Sequence, residues 1–428
     1  MRTEKIVLKN KHLDEILSWL KEGTEIYNQS LYYLRQEFFQ LRDELKKQDD
    51  KSEKKEKEKK HSLLNYYSLY SLVQKTDTFK NSSLDFVVKQ NVVKLACQNW
   101  KAFSSARKSW KLNPSKFTGK PQLPKYLKND KLVNLTIDKS RLRKSKNKTA
   151  KNKVRFPKSQ IELSLPIYLK RESIKCIQLK KHYGKIKAFV VYDRQEEKLN
   201  LNKSNAIGID IGLSNICAIT TNNQEKSWIV KGGAIKSINQ FYNKKLAKMR
   251  SELELCNKRK TSKNIERLNR KRNDKLSNYF HNLSKSIIDI CVENDIGTIV
   301  IGHNKEWKQN TKLGKTTTQN FIQIPFNQLI EMISYKGINK GIDVLTTEES
   351  YTSKCDHLAN ETMEHHEEYL GKRIKRGLFR SSTGKILNAD INGAIGILRK
   401  INAISDLDLV KLRNRGDVVS PCILKIKC

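Results

Sequence analysis

The segment that most constrains the fold is an apolar strand that carries a single acid, AIGIDIG at residues 206–212. A continuously apolar run of this kind predicts a strand that is buried on both faces. An unpartnered carboxylate in such a strand is costly, so Asp210 needs a cation or a hydrogen-bond donor nearby. Gly208 and Gly212 leave room for a neighbour to approach the backbone. The alternative is an aspartate that caps a turn at the end of the strand.

The elements around this strand follow a recognisable order. Further strands are predicted at Ile216–Thr221, Ser227–Val230, Gly297–Gly302 and Ile342–Thr346, and helices at Ala234–Glu293 (a charged pair), from Pro325 and from Asn388. The order β-β-β-α-β-α-β-α is that of a ribonuclease-H-like α/β domain. We therefore expect Asp210 to lie in the sheet of such a domain.

A second acid lies at the start of the last predicted helix, within NADINGA at residues 388–394. A helix amino terminus favours a carboxylate, so Asp390 could be a simple N-cap. The small residues Gly393 and Ala394 also indicate close packing against a neighbouring element. By itself this motif leaves both interpretations open.

The amino-terminal half predicts helices followed by short strands. After a strand at Ile6–Leu8, apolar residues recur at helical spacing from Leu13 to Leu34, and again from Ser83 to Trp110. The charged segment Lys46–Lys60 between them predicts a solvated helix extension or a disordered loop. A proline cluster that begins at Pro114 ends the second helix.

Basic sequence with β character follows the proline cluster. Arg141–Arg155 has hardly any apolar side chain, and strands are predicted at Ile161–Leu165, Ile174–Leu179 and Ile186–Tyr192. Gly184 marks a hairpin turn between the last two strands. Short alternating strands in a basic setting predict a small barrel that contacts nucleic acid.

Charge indicates the class of partner. Lysine and arginine number 85 against 45 acids, so the formal net charge is +40, which is typical of proteins that bind nucleic acid. No apolar run is long enough for a membrane span, and the amino terminus lacks an apolar signal core. The eight cysteines include no Cys-x-x-Cys pair, which argues against a disulfide framework or a zinc ribbon. We expect a cytoplasmic, nucleoid-associated protein.

Together these segments resemble the split RuvC nuclease domain of the TnpB (OrfB) family, the transposon-encoded relatives of type V CRISPR effectors. GIDIGLSN around Asp210 is similar to the first motif of that family, and NADINGA around Asp390 is similar to the third. QNVVKLACQNWKAF resembles its helical recognition lobe, NPSKFTGKPQLPKY its return to the barrel, and YTSKC the segment before the third motif. The resemblance covers nearly the whole chain.

The resemblance implies a domain organisation and an activity. It implies a β-barrel wedge domain at 1–10 and 114–203, a helical recognition lobe at 11–113, and a RuvC domain at 204–428. The RuvC domain would contain a helical insertion at 234–293 and a basic loop at 353–387. The implied activity is RNA-guided endonuclease cleavage of target DNA beside a short adjacent motif. Two Mg²⁺ ions would be held by three or four acids, with Asp210 and Asp390 among them.

The sequence departs from the family where the second RuvC acid is expected. The strand that usually ends in a glutamate ends here in Gly302. Some TnpB and Fanzor lineages resemble this pattern and carry a relocated glutamate three residues before a Thr-Ser pair, which here selects Glu349. Neighbouring parallel strands lie about 4.8 Å apart and end at one edge, so Glu349 could reach the vacated space. Glu348 and Glu306 are the other candidates, and a site without this acid would make the chain a nuclease-inactive, RNA-guided DNA-binding regulator.

The region between YTSKC and the third motif also departs from the family. Many TnpB proteins have a four-cysteine zinc ribbon there, whereas this chain has Cys355, His357, His365 and His366. The spacing of these four residues fits no familiar zinc pattern, and the nearby acids Asp356, Glu361 and Glu364 predict a surface loop, so we expect no zinc.

Several cations are predicted to contact nucleic acid. The segment GKRIKRGLFR at 371–380 suits a phosphate clamp, and a disordered basic loop is the alternative. The residues assigned to nucleic-acid contact are Lys372, Arg373, Lys375, Arg376, Arg380, Lys120 and Lys125. Charge alone would also allow a generic basic RNA-binding protein, but charge does not explain the paired acidic motifs.

Overall fold

The structure is a computed structural model. It describes residues 2–8, 12–46, 65–128, 131–145, 152–193, 198–223, 226–257, 261–304 and 314–427. Glu306, nearly all of the charged segment Lys46–Lys60 and the middle of the basic run at 141–155 lie outside the described residues. The chain forms two compact units, Met1–Gln195 and Glu196–Cys428. Among the described residues, no helix is long and apolar enough to cross a membrane.

The first unit contains a group of helices that share one core. They are α1 (Leu13–Lys46), α2 (Tyr66–Val73), α3 (Asp77–Lys80) and α4 (Phe86–Leu112). Ile16 and Leu20 of α1 belong to the same buried cluster as Val88 and Val92 of α4. Helix α4 ends at Leu112 because the residue before a proline, here Asn113, avoids helical geometry.

The strands of the first unit form two antiparallel sheets. They are β1 (Arg2–Val7), β2 (Leu135–Asp138), β3 (Arg143–Lys144), β4 (Lys153–Arg155), β5 (Glu162–Ser164), β6 (Ile174–His182) and β7 (Lys185–Tyr192). One sheet has the order β1-β7-β6-β2 and the other β3-β4-β5. Tyr183 and Gly184 join β6 to β7 with φ angles of 48° and 71°, and two residues with positive φ are what a tight hairpin turn requires. The predicted hairpin is confirmed.

The second unit is built on a six-stranded mixed sheet. The remaining strands of the chain are β8 (Ala206–Asp210), β9 (Asn215–Thr221), β10 (Trp228–Lys231), β11 (Thr298–Gly302), β12 (Asp343–Thr347), β13 (Lys372–Lys375), β14 (Leu378–Arg380), β15 (Ile386–Asn388) and β16 (Cys422–Ile423). The sheet has the order β12-β11-β8-β9-β10-β16, with β12, β11 and β8 parallel to one another. The predicted strands agree with the observed ones to within one residue, except that β8 ends at Asp210.

Helices cover the sheet of the second unit on both faces. They are α5 (Gly233–Asn257), α6 (Lys263–Glu293), α7 (Lys315–Gln323), α8 (Phe326–Lys340), α9 (Ala389–Lys400) and α10 (Asp406–Asn414). Ile207 and Ile209 of β8 pack into the core shared with α6 and α8, whereas Ala206 packs into the core shared with α9. Since side chains alternate along a strand, Gly208 and Asp210 face α9 as well.

The prediction that the segment 353–387 is a basic loop is wrong, because the segment contains regular strands. Residues 372–388 form a three-stranded antiparallel sheet in the order β13-β14-β15. On β14 the buried Phe379 is followed by the exposed Arg380, and all four residues of β13 are exposed, so the small sheet has a packed aromatic side chain and several exposed cations. Helix α10 was not predicted, although Ser405 and Asp408 form a capping box that marks its start.

Helix α9 lies so close to β8 that no side chain fits between them. A Cβ atom added at Gly208 would lie 2.4 Å from the carbonyl oxygen of Ala394 and 2.8 Å from Cγ of Leu398. We predict that Gly208→Ala lowers the free energy of unfolding of the second unit by about 1–3 kcal/mol, because the added methyl group forces the helix off the sheet. Denaturant unfolding checks this, with Gly416→Ala, which has open space, as the matched control. Equal stabilities of the two variants would contradict the close packing.

Candidate active site

Parallel register brings three strand ends to one edge of the sheet. Ile209 of β8 lies beside Ile301 of β11, so Asp210 and Gly302 end adjacent strands. Gly302 in turn lies beside Thr347 of β12. Asp210 is the last residue of β8 rather than an interior one, because the chain turns towards β9 after it. The carboxylate therefore stands at the sheet edge, where substrates of α/β sheets bind.

Glu349, two residues beyond the end of β12, fills the space that Gly302 leaves. A Cβ atom added at Gly302 would lie 2.7 Å from Oε1 of Glu349 and 2.5 Å from Cδ1 of Ile397 on α9. Any side chain at position 302 would therefore displace this glutamate. The backbone N–H of Glu349 donates a hydrogen bond to Oδ1 of Asn304 over 2.8 Å, which fixes the turn that carries it.

The other glutamate candidates do not occupy this space in the structure. Glu348 is exposed, and its Oε1 accepts a hydrogen bond of 2.7 Å from the Ser350 hydroxyl. Glu306 lies outside the described residues. Of the described candidates, Glu349 is the one brought against Gly302.

Asp390 comes to the same edge from α9. The Asn388 side chain accepts hydrogen bonds from the backbone N–H groups of Asp390 and Ile391, so Asn388 is the N-cap and the N-cap interpretation of Asp390 is wrong. The Asp390 carboxylate is left to accept a hydrogen bond of 2.6 Å from Nδ2 of Asn215. A Cβ atom added at Gly393, one turn further along α9, would lie 2.6 Å from Oδ2 of Asp210.

Burial perturbs the pKa of Asp210 and of Glu349, and neighbouring carboxylates add to the shift at Asp210. Burial, and then the charges of Glu349 and Asp390, raise the pKa of Asp210 well above its ordinary value. Burial also raises the pKa of Glu349 to about 7, although the positive charge of Lys400 opposes the shift. Such shifts are expected where like charges converge out of water, and they are typical of functional sites.

The donor set fits a hard divalent cation. Oε1 of Glu349 is buried and has no hydrogen-bond partner, and the three groups are carboxylates, the ligands that Mg²⁺ prefers. Within the described part of the chain, no three His, Cys, Asp or Glu side chains already stand close enough to form a metal site. Binding a cation thus requires the carboxylates to draw together, which their repulsion opposes until positive charge is present.

Two family models match the chain. Residues 189–308 match OrfB_IS605, described as a probable transposase, and residues 326–397 match the Cas12f1-like TNB domain. The two matched ranges carry Asp210 and Gly302, and Glu349 and Asp390, respectively. No curated protein matches significantly.

Solved structures add a likeness of fold. A Cas12f1–sgRNA–target DNA complex is 16% identical with a TM-score of 0.53, over 91% of this chain and 83% of that chain. A CRISPR-Cas12f ternary complex is 14% identical (TM-score 0.34, 90% and 81% covered). The C2c1–guide RNA complex of Alicyclobacillus acidoterrestris is 10% identical (TM-score 0.34, 91% and 70% covered). Of these three structures, the first has a TM-score above 0.5, and the likeness of fold rests on it.

The chain is a TnpB-like relative of the type V effectors. The resemblance inferred from the sequence motifs is therefore confirmed. The family includes RNA-guided nucleases, and the mixed α/β fold is similar to that of a Cas12 effector.

In this TnpB relative, the segment in the place of a zinc ribbon is a buried polar cluster. Asp356 and Glu361 are 0% and 6% exposed, so the expected surface loop is wrong, although Glu364 is exposed. Glu361 accepts hydrogen bonds from the backbone N–H groups of Asp356 (2.5 Å) and Leu370 (2.8 Å). Asp356 accepts from the backbone and the hydroxyl of Ser382. These carboxylates therefore provide acceptors for buried backbone N–H groups that would otherwise lack a hydrogen-bond partner.

The Cys and His side chains of this segment have structural partners. The Cys355 thiol, which is buried, donates to the carbonyl of Thr362, and the His366 ring contacts the same carbonyl. His365 is exposed. The expectation that no zinc binds here stays a prediction.

His357 is held as a neutral ring. Arg399 donates to its Nδ1 over 2.8 Å, and its Nε2 lies 2.7 Å from the carbonyl oxygen of Thr352. Arginine only donates and a carbonyl only accepts, so Nε2 carries the proton. Burial, and then the charges of Arg399 and Lys400 against that of Asp356, lower the pKa of His357 to about 4.

We predict that His357 makes this TnpB-like protein less stable in acid. The unfolded ring takes up a proton below a pH of about 6.5, whereas the folded ring resists until about 4, so stability falls as the pH drops between these values. Between pH 7 and pH 5 the loss should be about 2 kcal/mol larger in the wild type than in His357→Gln. Urea unfolding at each pH measures it. Exposed His365→Gln should follow the wild type, and parallel curves for all three proteins would contradict the prediction.

The predicted cations lie in two places. Lys372, Lys375 and Arg380 are exposed on the small sheet of the second unit. Arg376 on the same sheet donates a hydrogen bond to the Ser214 hydroxyl, and Nη2 of Arg373 lies 4.0 Å from Oδ1 of Asp390. Lys120 and Lys125 are exposed in the first unit, where Nζ of Lys120 lies 5.8 Å from the Trp110 ring centroid.

Two positioning residues were missed from the sequence. Asn215 ends the GIDIGLSN motif, so its place at the start of β9, facing the start of α9, could have indicated its contact with Asp390. Asn304 lies just after β11 and holds the backbone of Glu349. That contact depends on a loop geometry for which the sequence carries no signal.

Proposed function

We propose that this chain is an RNA-guided DNA endonuclease that cuts target DNA next to a short adjacent motif. The observation that carries the proposal is the position of the Glu349 carboxylate. It lies against Gly302, at the same edge of the sheet as Asp210 and Asp390. Kinship with TnpB and the type V effectors supports the guided mode of recognition. The net charge of +40 suits a chain that binds both RNA and DNA.

We infer that the site is of the RuvC type, with Asp210, Glu349 and Asp390 as catalytic residues and as ligands for two Mg²⁺ ions. When bound, such ions activate water and neutralise the charge that develops on the scissile phosphate. The unpartnered Oε1 of Glu349 and the raised pKa of Asp210 support this role, because a cation would satisfy the first and stabilise the ionised form of the second.

The other residues of the site orient and balance these acids. The Asn215 amide holds one oxygen of Asp390, which leaves the other facing Arg373. The Arg373 guanidinium lowers the repulsion between the acids and can donate hydrogen bonds to a phosphate oxygen of the substrate. Gly302 provides the space without which Glu349 could not approach Asp210.

The partners follow from the same proposal. We expect a guide RNA and a target DNA, as in the Cas12f1 complex whose fold is similar. We assign 1–10 and 114–203 to a β-barrel wedge domain, 11–113 to a helical recognition lobe, and 204–428 to the RuvC domain. In support, β1 pairs with β7 and so joins the amino terminus to the strands beyond α4. A cytoplasmic, nucleoid-associated location fits a DNA substrate.

A second candidate is a nuclease-inactive, RNA-guided DNA-binding regulator on the same scaffold. The glycine at position 302, where the family usually has its glutamate, is the observation that favours it. The filled space beside that glycine argues for an active site instead, because a decayed site has no need to keep three mutually repelling acids.

We predict that Glu349→Gln abolishes cutting but not binding. With co-expressed guide RNA and Mg²⁺, the variant should cut linear target DNA at least about 100-fold more slowly, since it removes a charge aimed at the reacting centre. DNA affinity in a mobility-shift assay should stay within about twofold. Asp210→Asn should behave in the same way.

Glu348→Gln is the matched control, because it makes the same chemical change one residue away on an exposed side chain. It should cut at the wild-type rate. Cutting by Glu349→Gln at the wild-type rate would falsify the relocated glutamate. Guided binding without cutting by the wild type, with Mg²⁺ or Mn²⁺, would establish the regulator.

We predict that Gly302→Ala lowers the cutting rate more than about 10-fold while guided DNA binding persists. The added methyl group would overlap Oε1 of Glu349 and Cδ1 of Ile397, so the carboxylate must move from the site. Single-turnover cleavage measures the change. Gly416→Ala, which meets open space in the same unit, should cut normally, and unaltered cutting by Gly302→Ala would contradict the packing of Glu349.

A further inference from the structure

The turn that carries Glu349 is held by a nearby threonine. The backbone carbonyl of Glu349 accepts two hydrogen bonds from Thr352, one from its N–H group over 3.2 Å and one from its hydroxyl over 2.9 Å. Thr352 is 3% exposed, so these bonds lie out of bulk water. The Asn304 side chain accepts from the N–H group of Glu349. Side chains therefore hold both backbone polar groups of the glutamate.

The same turn has a strained backbone. Tyr351 has a φ angle of 64°, in the left-handed region that residues with a Cβ atom rarely adopt. Its carbonyl accepts hydrogen bonds of 3.2 Å from the N–H groups of Lys354 and Cys355. Strain of this kind persists only where the surrounding structure holds it. We therefore expect the turn to relax when the bonds that Thr352 makes are removed.

Thr352 is in turn held by His357. Nε2 of His357 lies 2.7 Å from the carbonyl oxygen of Thr352 and carries the proton, because Arg399 donates to Nδ1 over 2.8 Å. The ring is fully buried, and a Cβ atom added at Gly396 of α9 would overlap it. The imidazole is therefore packed directly against the helix and has one orientation.

Arg399 anchors this chain of hydrogen bonds to α9. It also donates to the backbone carbonyl of Glu361 over 2.9 Å and to the side chain of Asn360. The same helix has Asp390 in its first turn and Arg399 in its last. One helix thus carries one acid of the site directly and reaches the turn of another through two intervening side chains.

We propose that Thr352 and His357 are positioning residues for the Glu349 carboxylate. Thr352 closes the turn through its hydroxyl, and His357 holds Thr352 against α9, so both act through the position of Glu349. This inference rests on the proposed endonuclease function. It also gives a physical reason for the spacing of the glutamate and the Thr-Ser pair, because a threonine three residues after the glutamate is placed to close a four-residue turn.

Thr352→Val tests the hydroxyl with little change of shape. With guide RNA and saturating Mg²⁺, the variant should cut target DNA about 10–100-fold more slowly, the range that is typical when a group that orients a metal ligand is removed. The DNA concentration that gives half the maximal rate should stay within about twofold, because binding of the DNA does not use this hydroxyl. Thr352→Ser keeps the hydroxyl and should cut within about threefold of the wild-type rate.

Metal binding gives a readout that does not require cutting. Mn²⁺ is titrated calorimetrically into the full chain without nucleic acid, and the binding that disappears in Asp210→Asn is assigned to the carboxylate site. Thr352→Val should weaken this binding by about 10-fold or more, because Glu349 is no longer held in place. Thr352→Ser should retain it.

Thr298→Val is the matched control. The Thr298 hydroxyl also donates to a backbone carbonyl, that of Lys203, over 2.8 Å, and the residue is 8% exposed at the end of β11 opposite Gly302. The change removes the same kind of bond from the same unit, so both valine variants should lower the midpoint of thermal unfolding by similar amounts. Thr298→Val should nevertheless cut DNA and bind Mn²⁺ within about twofold of the wild type, because the lost bond does not support an acid of the site.

Two substitutions test the ring. His357→Leu removes the donor to the Thr352 carbonyl and should slow cutting about 10-fold or more. His357→Gln keeps an N–H group that can donate to the same carbonyl and should bring cutting back to within about threefold of the wild-type rate. Equal rates for these two variants would contradict the role of the ring.

The outcomes distinguish this inference from the proposed function. Equal effects of Thr352→Val and Thr298→Val on cutting and on Mn²⁺ affinity would overturn the positioning role and leave the endonuclease intact. A wild type that does not cut would contradict the endonuclease, and a loss of Mn²⁺ affinity in Thr352→Val alone would then still support the positioning role. If the wild type neither cuts nor binds Mn²⁺ at the carboxylates, both proposals are wrong.

Discussion

The close packing of α9 on the parallel strands β8 and β11 determines the geometry of the site. Glycine lies wherever the helix and the strands meet most tightly, at Gly208 and Gly302 on the sheet and at Gly393 on the helix. Because no side chains separate the two elements there, the acid that ends β8 and the acid that begins α9 come within reach of each other. A bulkier residue at any of these three positions would push the helix and the strands apart and so separate the carboxylates, although the carboxylates themselves would be unchanged.

The cost of this arrangement is electrostatic. Burial raises the pKa of Asp210 and of Glu349, and the charges of Glu349 and Asp390 raise that of Asp210 further. Arg373 offsets part of the shift at Asp210, and Lys400 offsets part of the shift at Glu349. A fold selected for stability alone would place apolar or neutral residues there. In the proposed function, cations bound between these charges would give the site its affinity for phosphate. The site therefore has the trade-off between stability and function that is common in active sites.

Much of the nuclease-like unit could be predicted from its sequence because its buried strands are apolar runs and its helices are amphipathic. The order of the strands and helices along the chain follows from that pattern, whereas the pairing of Asp210 with Asp390 came from the family resemblance. The proposed role of Glu349 was predicted from the family resemblance. The periodicity of apolar residues could not predict it, because Glu349 lies in a loop and contacts Gly302 of the neighbouring strand. The buried cluster around Asp356 and Glu361 was missed because its carboxylates accept hydrogen bonds from backbone N–H groups. A sequence alone does not distinguish such buried acids from acids exposed to solvent. The sheet at 372–388 was missed for a similar reason, as cations dominate its exposed side.

We propose that Asp210, Glu349 and Asp390 enclose divalent cations. The most direct measurement is the anomalous scattering of Mn²⁺ in crystals of the protein with its guide RNA and an uncut target DNA. We expect peaks within about 2.5 Å of carboxylate oxygens from all three residues, with Glu349 still beneath Gly302. Peaks coordinated by the two aspartates alone, with the glutamate turned into solvent, would contradict the account.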